Sequence, residues 1–265
     1  MIHLSYTDLG LCALLVIACG GLLTLHHPAL TRQLYGSALR CGLQLLLMGV
    51  WLSFIFTRQH WGWVALMSVI MLGAATLEAG RRQAVPLQAA WRYGLALMSM
   101  GIAALSMTML VVVALLQTDP WYSPRYFLPL LGMLLGNCLT GVSMGMDHFN
   151  RQVWQQQAQL EWRLALGMTA AEVIQPLYRQ SLEAALRPTF NMLVSAGVIS
   201  LPGMMTGQIL AGAAPMEAVK YQLMIMLLLA VCTSVGIMLA LSACRHLLFD
   251  ERQRLDLHRL QPPGG

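Results

Sequence analysis

The sequence predicts an all-α integral membrane protein with about seven transmembrane helices. Hydrophobic residues make up 57% of the 265-residue chain and charged residues only 10%, whereas soluble domains are about one quarter charged. Apolar segments with the roughly 17–25 residues that a helix needs to cross a bilayer recur along the whole chain. They lie at residues 9–25, 38–56, 61–77, 93–116, 126–146, 190–211 and 223–244. We therefore treat residues 1–265 as a single transmembrane domain.

The basic residues predict the orientation of these spans. If the N-terminus is outside, the inner loops and the tail hold thirteen of the 16 Lys and Arg residues, and the outer loops hold only Arg58, Arg125 and Lys220. Membrane proteins keep an excess of Lys and Arg on the cytoplasmic side. The predicted topology is N-out and C-in.

The one long hydrophilic segment, residues 147–189, falls on the inner side. Residues 149–166 are predicted to form one helix, and Gly167 then interrupts it, because glycine disfavours helix interiors. A helix, a glycine turn and a second helix would make a bent cytoplasmic element that leads directly into the next span.

The second helix of this segment has a clear start signal. Thr169 and Glu172 have the spacing of a capping box, in which each side chain accepts the backbone N–H of the other residue. The helix is expected to extend from residue 170 to residue 187 and to end before Pro188, since proline lacks the N–H that continues a helix.

The predicted sixth span, residues 190–211, contains a helix break. Pro202 and Gly203 lie near its middle and are the two residue types that fit a helix interior least. Lipid cannot satisfy the backbone polar groups that a break exposes, so a break needs protein or a watery cavity beside it. We expect a translocation pathway to be lined by Ser200, Pro202, Gly203, Met204, Met205, Thr206 and Gln208.

Pairs of glycines four residues apart indicate close helix packing. Small residues at this spacing let two helices approach within a membrane. Both packing inside one subunit and packing between subunits fit the pattern. The pairs are Gly132 and Gly136, Gly141 and Gly145, and Gly203 and Gly207.

The motifs of several other functions are absent from the sequence. There is no G-x-x-x-x-G-K-[ST] motif, and the only lysine is Lys220, so ATP cannot bind through a P-loop on this chain. We expect no enzyme activity and no cofactor on this chain. Basic residues form no patch of the kind that binds nucleic acid, and neither histidines nor carboxylates cluster as a metal site, so the metal ligands are unknown.

Two alternatives from other functional classes stay open. Gly141–Gly145 fits G-x-S-x-G and His148 follows, which allows an intramembrane serine protease, although that motif belongs on a strand–turn–helix. A channel or an ion-coupled carrier is the second alternative. It would be expected to bury a carboxylate or a histidine within a span, and the spans are almost free of both.

Four stretches resemble the FetB-type ABC permeases, a family of bacterial iron-export permeases and plant aluminium-tolerance permeases. They are residues 164–169 (LALGMT), 184–192 (AALRPTFNM), 200–212 (SLPGMMTGQILAG) and 218–222 (AVKYQ). The resemblance is strong over about residues 161–229 and general in hydropathy elsewhere.

The resemblance implies a permease of the bacterial inner membrane that exports iron and serves metal homeostasis and resistance to oxidative stress. It implies a separate cytoplasmic ABC ATPase that binds ATP and Mg²⁺, and an assembly of two permeases and two ATPases. Because some plant relatives are linked to UDP-glucose, export of a nucleotide sugar is the alternative substrate class.

The segment from Glu161 to Gly167 also resembles, more loosely, the E-A-A…G coupling loop of ABC importers. This chain has Glu161-Trp-Arg where that motif has E-A-A, so the match depends on Glu161 and Gly167. On this resemblance we expect contact with the ATPase from Glu161, Arg163, Gly167, Thr169 and Glu172.

Overall fold

The computed structural model describes residues 6–58, 60–250, 253–256 and 259–260, and these form helices joined by short loops. The chain divides into two compact units between His60 and Trp61. The helices are α1 (Tyr6–His26), α2 (Pro28–Arg58), α3 (Trp61–Arg81), α4 (Ala89–Met109), a π-helical segment (Leu110–Leu115), α5 (Pro124–Gln155), α6 (Gln157–Ala165), α7 (Ala170–Ser195), α8 (Gly203–Leu210) and α9 (Pro215–Leu247).

Six helices among the described residues are long and apolar enough to cross a membrane. They are α1, α2, α3, α4 with the π-helical segment, α5 and α9. Each covers one of the apolar segments predicted from the sequence, except that Leu116 of the fourth segment follows the last helical residue, Leu115. The remaining predicted segment, residues 190–211, is divided between the end of α7, the loop 196–202 and α8.

The first unit is a helical hairpin. The hydroxyl of Tyr35 in α2 donates to the carbonyl of Ile17 in α1 at 2.9 Å. The hydroxyl of Thr31 donates to the carbonyl of Gly20 at 3.3 Å. Gly20 also leaves room for the Tyr35 ring, because a Cβ at this position would collide with it. Two polar side chains of α2 therefore fix the packing of α1 against it.

The second unit is built around α5, which packs against α3, α4, α7 and α9. Gly141 and Gly145 allow the close approach of α9 and α7. A Cβ at Gly141 would lie 2.7 Å from Thr233 Cγ2 and 2.8 Å from Ile237 Cδ1, and one at Gly145 would lie 3.3 Å from Ala185 Cβ. This glycine pair packs helices within one subunit.

Two predicted helix limits were wrong. The expected end before Pro188 is not observed, because α7 continues through Pro176 and Pro188 to Ser195. Ala185 and Thr189 on this stretch are buried, and packing against neighbouring helices lets a membrane helix tolerate proline.

The second wrong limit concerns residues 149–166, which were predicted to form one helix. They form two helices, since α5 extends to Gln155 and the backbone of Gln156 (φ −105°, ψ 15°) leaves the helical region before α6 begins.

Segments that the basic-residue count assigns to the inner side meet at one end of the second unit. The Ala84 N–H donates to Asp147 Oδ1 at 2.7 Å, and the Gln88 N–H donates to the Arg259 carbonyl at 2.8 Å. The Ala170 N–H donates to Gln253 Oε1 at 3.1 Å. The loop after α3, the start of α7 and the tail therefore share one end, while the N-out orientation stays a prediction.

The packing of α5 against α9 leads to a stability prediction. Replacing Gly141 with Ala should destabilise the protein by about 1–3 kcal/mol, because the added methyl group overpacks the contact with α9. Gly136→Ala is the matched control, since nothing lies within 4 Å of its added Cβ and both changes gain the same helix propensity. Tryptophan fluorescence of thermal unfolding in detergent measures both. Equal unfolding midpoints would contradict the packing account.

Candidate functional site

Two regions of the second unit carry the residues predicted to be functional. We name residues 157–172 the elbow and residues 196–202 the break. The elbow comprises α6, a turn and the first residues of α7, and the break separates α7 from α8. The single helix α7 connects the two regions.

The first half of the elbow ends in a tight glycine turn. Gly167 has φ +91°, a left-handed conformation that L side chains rarely adopt and glycine adopts freely. The Gly167 N–H donates to the Leu164 carbonyl at 3.0 Å, and the Met168 N–H donates to the Arg163 carbonyl at 3.2 Å. This pair of bonds is the Schellman motif, which satisfies the last carbonyls of a helix.

The second half of the elbow starts with the predicted capping box, which the structure confirms. The Thr169 N–H donates to Glu172 Oε2 at 2.9 Å, and the Glu172 N–H donates to Thr169 Oγ1 at 3.4 Å. The hydrogen bonds from the backbone N–H and the hydroxyl of Thr169 lower the pKa of Glu172. The ionised Glu172 carboxylate therefore stabilises the start of α7 at pH values above the ordinary carboxyl pKa. This stabilisation is lost as the pH falls through the lowered pKa of Glu172.

Large apolar side chains on the elbow are exposed. Trp162 is 70% exposed and Leu166 is 66% exposed, while Glu161 and Arg163 beside them are exposed as well. Large exposed apolar side chains surrounded by polar ones mark interaction surfaces. The predicted residues Glu161, Arg163, Gly167, Thr169 and Glu172 thus lie on one short element.

A cleft of roughly 760 Å³ lies between the elbow and the C-terminal tail. Glu161, Gly167 and Thr169 line it from the elbow, and Gln253 and Arg254 line it from the tail. Sequence reasoning missed the contribution of the tail, because the hydrogen bond from Ala170 to Gln253 joins residues 83 positions apart. It also passed over Trp162, whose position in a polar helix was a visible signal.

The helical structure of α7 ends at Ser195, where the break begins. Gly197 has φ +87°, and its N–H donates to the Ser200 carbonyl at 2.9 Å. Pro202 is the N-cap of α8 and Gly203 is its first residue. The two residues predicted to mark the centre of a break therefore stand at its end, where a missing proline N–H is not needed.

The depth of the break follows from the packing of α7 against α5. The two helices are antiparallel, since Ala185 lies beside Gly145 and Ser181 Oγ lies 3.1 Å from His148 Nδ1. From the Gly145 contact, α5 continues for about 31 Å to Pro124, whereas α7 continues for only about 15 Å before it ends. The break is thus separated from the Pro124 end of α5 by roughly half the thickness of a bilayer's hydrocarbon core.

The predicted pathway residues lie on the break and on α8. The Ser200 hydroxyl donates to the Ser195 carbonyl at 3.4 Å, and the Thr206 hydroxyl donates to the Pro202 carbonyl at 3.1 Å. No residue of α8 is buried. Ser200 and Gly203 are exposed, and the half-buried residues are Pro202, Met204, Met205, Thr206 and Gln208.

Within the part of the chain that the structure describes, neither a protease site nor a metal site is assembled. The Ser143 hydroxyl donates to the Leu139 carbonyl of its own helix at 2.5 Å, while His148 bonds to Ser181. Ser143 and His148 therefore point in different directions from α5. Among the described residues, no group of three or more His, Cys, Asp or Glu side chains is placed to hold a metal ion.

Comparison with known proteins finds a family and several relatives. The model of the Uncharacterised protein family UPF0014 matches residues 6–249. A UPF0014 membrane protein of Synechocystis sp. is 31% identical over 255 residues, which are 96% of this chain and 98% of the relative. ALUMINUM SENSITIVE 3 of Arabidopsis thaliana is 31% identical over 233 residues, 88% of this chain and 83% of the relative.

A third relative bears the name "Probable iron export permease protein FetB" and comes from Escherichia coli. It is 27% identical over 259 residues, which are 98% of each chain. No solved structure gives a significant match. These matches confirm the resemblance to FetB-type permeases that the sequence motifs predicted.

Proposed function

Because the chain belongs to the UPF0014 family, we propose that it is the permease subunit of an ABC exporter whose ATP is hydrolysed on a separate cytoplasmic subunit. The name of the Escherichia coli relative supports a permease, and six candidate spans support a multi-pass membrane protein. The absence of a P-loop from the sequence requires the ATPase to be another chain.

The observation that carries this proposal is the construction of the elbow. A Schellman motif ends α6 and a capping box starts α7, so the turn between them is held firmly on both sides. Trp162 and Leu166 on this turn and the end of α6 are exposed. A rigid element with exposed apolar anchors fits the docking of a soluble ATPase, because tryptophan is enriched among the residues that dominate binding energy.

The proposed mechanism is alternating access driven through α7. The ATPase binds the elbow differently in its two nucleotide states, and only such a difference in contact shifts a conformational equilibrium. Movement of Gly167 and the Thr169 cap is passed along α7, which is helical from Ala170 to Ser195. The break then changes the side of the membrane toward which Thr206 and Gln208 face.

The proposed assembly contains two permeases and two ATPases in a bacterial inner membrane, with the N-terminus of each permease outside. α7 and α8 together make a seventh, interrupted crossing. The proposed cargo is iron, with a role in metal homeostasis and resistance to oxidative stress, and it rests on the name of the Escherichia coli relative.

Trp162 provides a test of ATPase docking. Replacing it with Ala should weaken binding of the ABC ATPase subunit by about 30-fold, since loss of a central tryptophan anchor typically costs 2 kcal/mol or more. Trp121→Ala is the matched control, because Trp121 is 50% exposed and precedes α5 at the opposite end from the elbow. The dissociation constant of the permease in lipid nanodiscs measures the effect. Equal affinity for both variants would reject this docking site.

Cellular iron content tests the cargo independently. Cells that lack this chain should hold more iron than the parent strain when iron is in excess, because an export route is missing. Elemental analysis should show that a complementing copy restores the iron level and that zinc and manganese do not change. Equal iron in the two strains would contradict the iron assignment and leave the docking prediction unaffected.

A further inference from the structure

The C-terminal tail folds back from the end of α9 onto the elbow. We use the tail for the described residues after α9, which are 248–250, 253–256 and 259–260. The Asp250 N–H donates to the Arg254 carbonyl at 3.1 Å, and the Arg254 N–H donates to Asp250 Oδ1 at 3.0 Å. These two hydrogen bonds close a turn that brings the tail back toward the start of α7.

The far end of the tail is anchored on the loop between α3 and α4. The Gln88 N–H donates to the Arg259 carbonyl at 2.8 Å, and Leu260 is buried and forms a β-bridge with buried Leu87. Arg259 Nη1 also donates to the Leu247 carbonyl at 2.6 Å. Hydrogen bonds and buried apolar side chains therefore hold the tail in a defined position on the second unit.

Gln253 joins the tail to the start of α7 and does so with a strained backbone. Its φ is +58°, in the left-handed region that residues other than glycine seldom occupy. Its Oε1 accepts the Ala170 N–H at 3.1 Å, one of the N–H groups that the first turn of a helix leaves unpaired. Strained backbone persists where surrounding contacts fix it, and it is concentrated at binding sites and switches. The tail beside the elbow is therefore a candidate for a binding role.

The cleft between the elbow and the tail has a charged side chain on each wall. Glu161 lines the cleft from the elbow and Arg254 lines it from the tail, and both side chains are exposed. Neither forms an ion pair or a side-chain hydrogen bond within the described part of the chain. A partner with complementary charges would pair with both, and such pairs guide association and fix the register of an interface.

The elbow alone is too small to bind a soluble subunit stably. Stable interfaces take about 20–30 residues from each partner, and the elbow has fewer because it spans only residues 157–172. Its exposed Trp162 and Leu166 fit the apolar centre of an interface, which is surrounded by a polar rim. Glu161 and Gly167 line the cleft and are the sequence neighbours of these two side chains. The cleft and the tail therefore adjoin the apolar centre and are placed to extend it.

We propose that the tail is the second half of the docking surface for the ATPase. The cleft receives a segment of the ATPase that carries an acidic side chain opposite Arg254 and a basic side chain opposite Glu161. The hydrogen bond from Ala170 to Gln253 keeps the two walls of the cleft together. This inference rests on the proposed function, and it adds a contact surface that lies far from the elbow in sequence.

Charge reversal at Arg254 tests the tail contact. With the permease in lipid nanodiscs at low ionic strength, Arg254→Glu should raise the dissociation constant for the purified ATPase subunit about tenfold, because a like charge then faces the acidic side chain of the ATPase. Arg254→Lys keeps the positive charge and should restore most of the affinity. Arg179→Glu is the matched control, since Arg179 is also exposed and lies about 15 Å along α7 from Thr169.

The control and the salt dependence decide the outcome. Equal dissociation constants for Arg254→Glu and Arg179→Glu would overturn the proposal. Salt screens exposed charges, so the difference between Arg254→Glu and the parent chain should shrink at high ionic strength, and a difference that salt does not change would contradict a charge contact. Tighter binding by Arg254→Glu would show that the tail obstructs the elbow, which would also overturn the proposal.

Hydrogen–deuterium exchange separates this inference from the proposed function. Adding the ATPase should slow amide exchange in the elbow and at residues 253–256, and it should leave the loop that precedes α5 unchanged. Slower exchange in the elbow with no change in the tail would overturn this inference and leave the permease function in place. Unchanged exchange in both regions would contradict docking of the ATPase at the elbow, and with it the proposed function.

Discussion

The packing of α7 against α5 and α9 is the constraint on which the proposed mechanism depends. Two prolines would end or bend an isolated helix at Pro176 and Pro188, yet α7 continues to Ser195. The close contact of Ala185 with Gly145 and the hydrogen bond of Ser181 with His148 hold it against α5. Because this packing keeps α7 whole, a force applied at the elbow can reach the break.

The two ends of α7 differ in the way that coupling requires. At the elbow end, α6 ends and α7 begins in two capping motifs, whose hydrogen bonds fix the backbone at Gly167 and Thr169. At the other end, the N–H groups of Val198 and Leu201 meet no acceptor in the described part of the chain, and α8 buries none of its residues. The firmly capped elbow is thus joined by α7 to the break and α8, which are loosely packed. A change in the residues that neighbour α8 would therefore disrupt few packing contacts.

Much of this architecture is encoded in local patterns that the sequence displays. Apolar length predicted the six helices that are long and apolar enough to cross a membrane, and the spacing of Thr169 and Glu172 predicted the capping box. The end of α7 was missed because a rule for Pro188 alone does not include the burial of Ala185 and Thr189. The cleft beside the elbow was missed because Gln253 reaches it from the tail, and a contact across 83 residues leaves no local pattern.

The coupling ratio of the proposed exporter, reconstituted with its ATPase, tests the central claim most directly. We would measure iron transported per ATP hydrolysed for Gly167→Arg and Gly167→Asn, since asparagine tolerates the left-handed φ of this turn far better than other residues and arginine does not. The account predicts that the ratio falls about tenfold or more for Gly167→Arg, with hydrolysis retained, and stays near the parent value for Gly167→Asn. An unchanged ratio for Gly167→Arg would contradict transmission through the elbow.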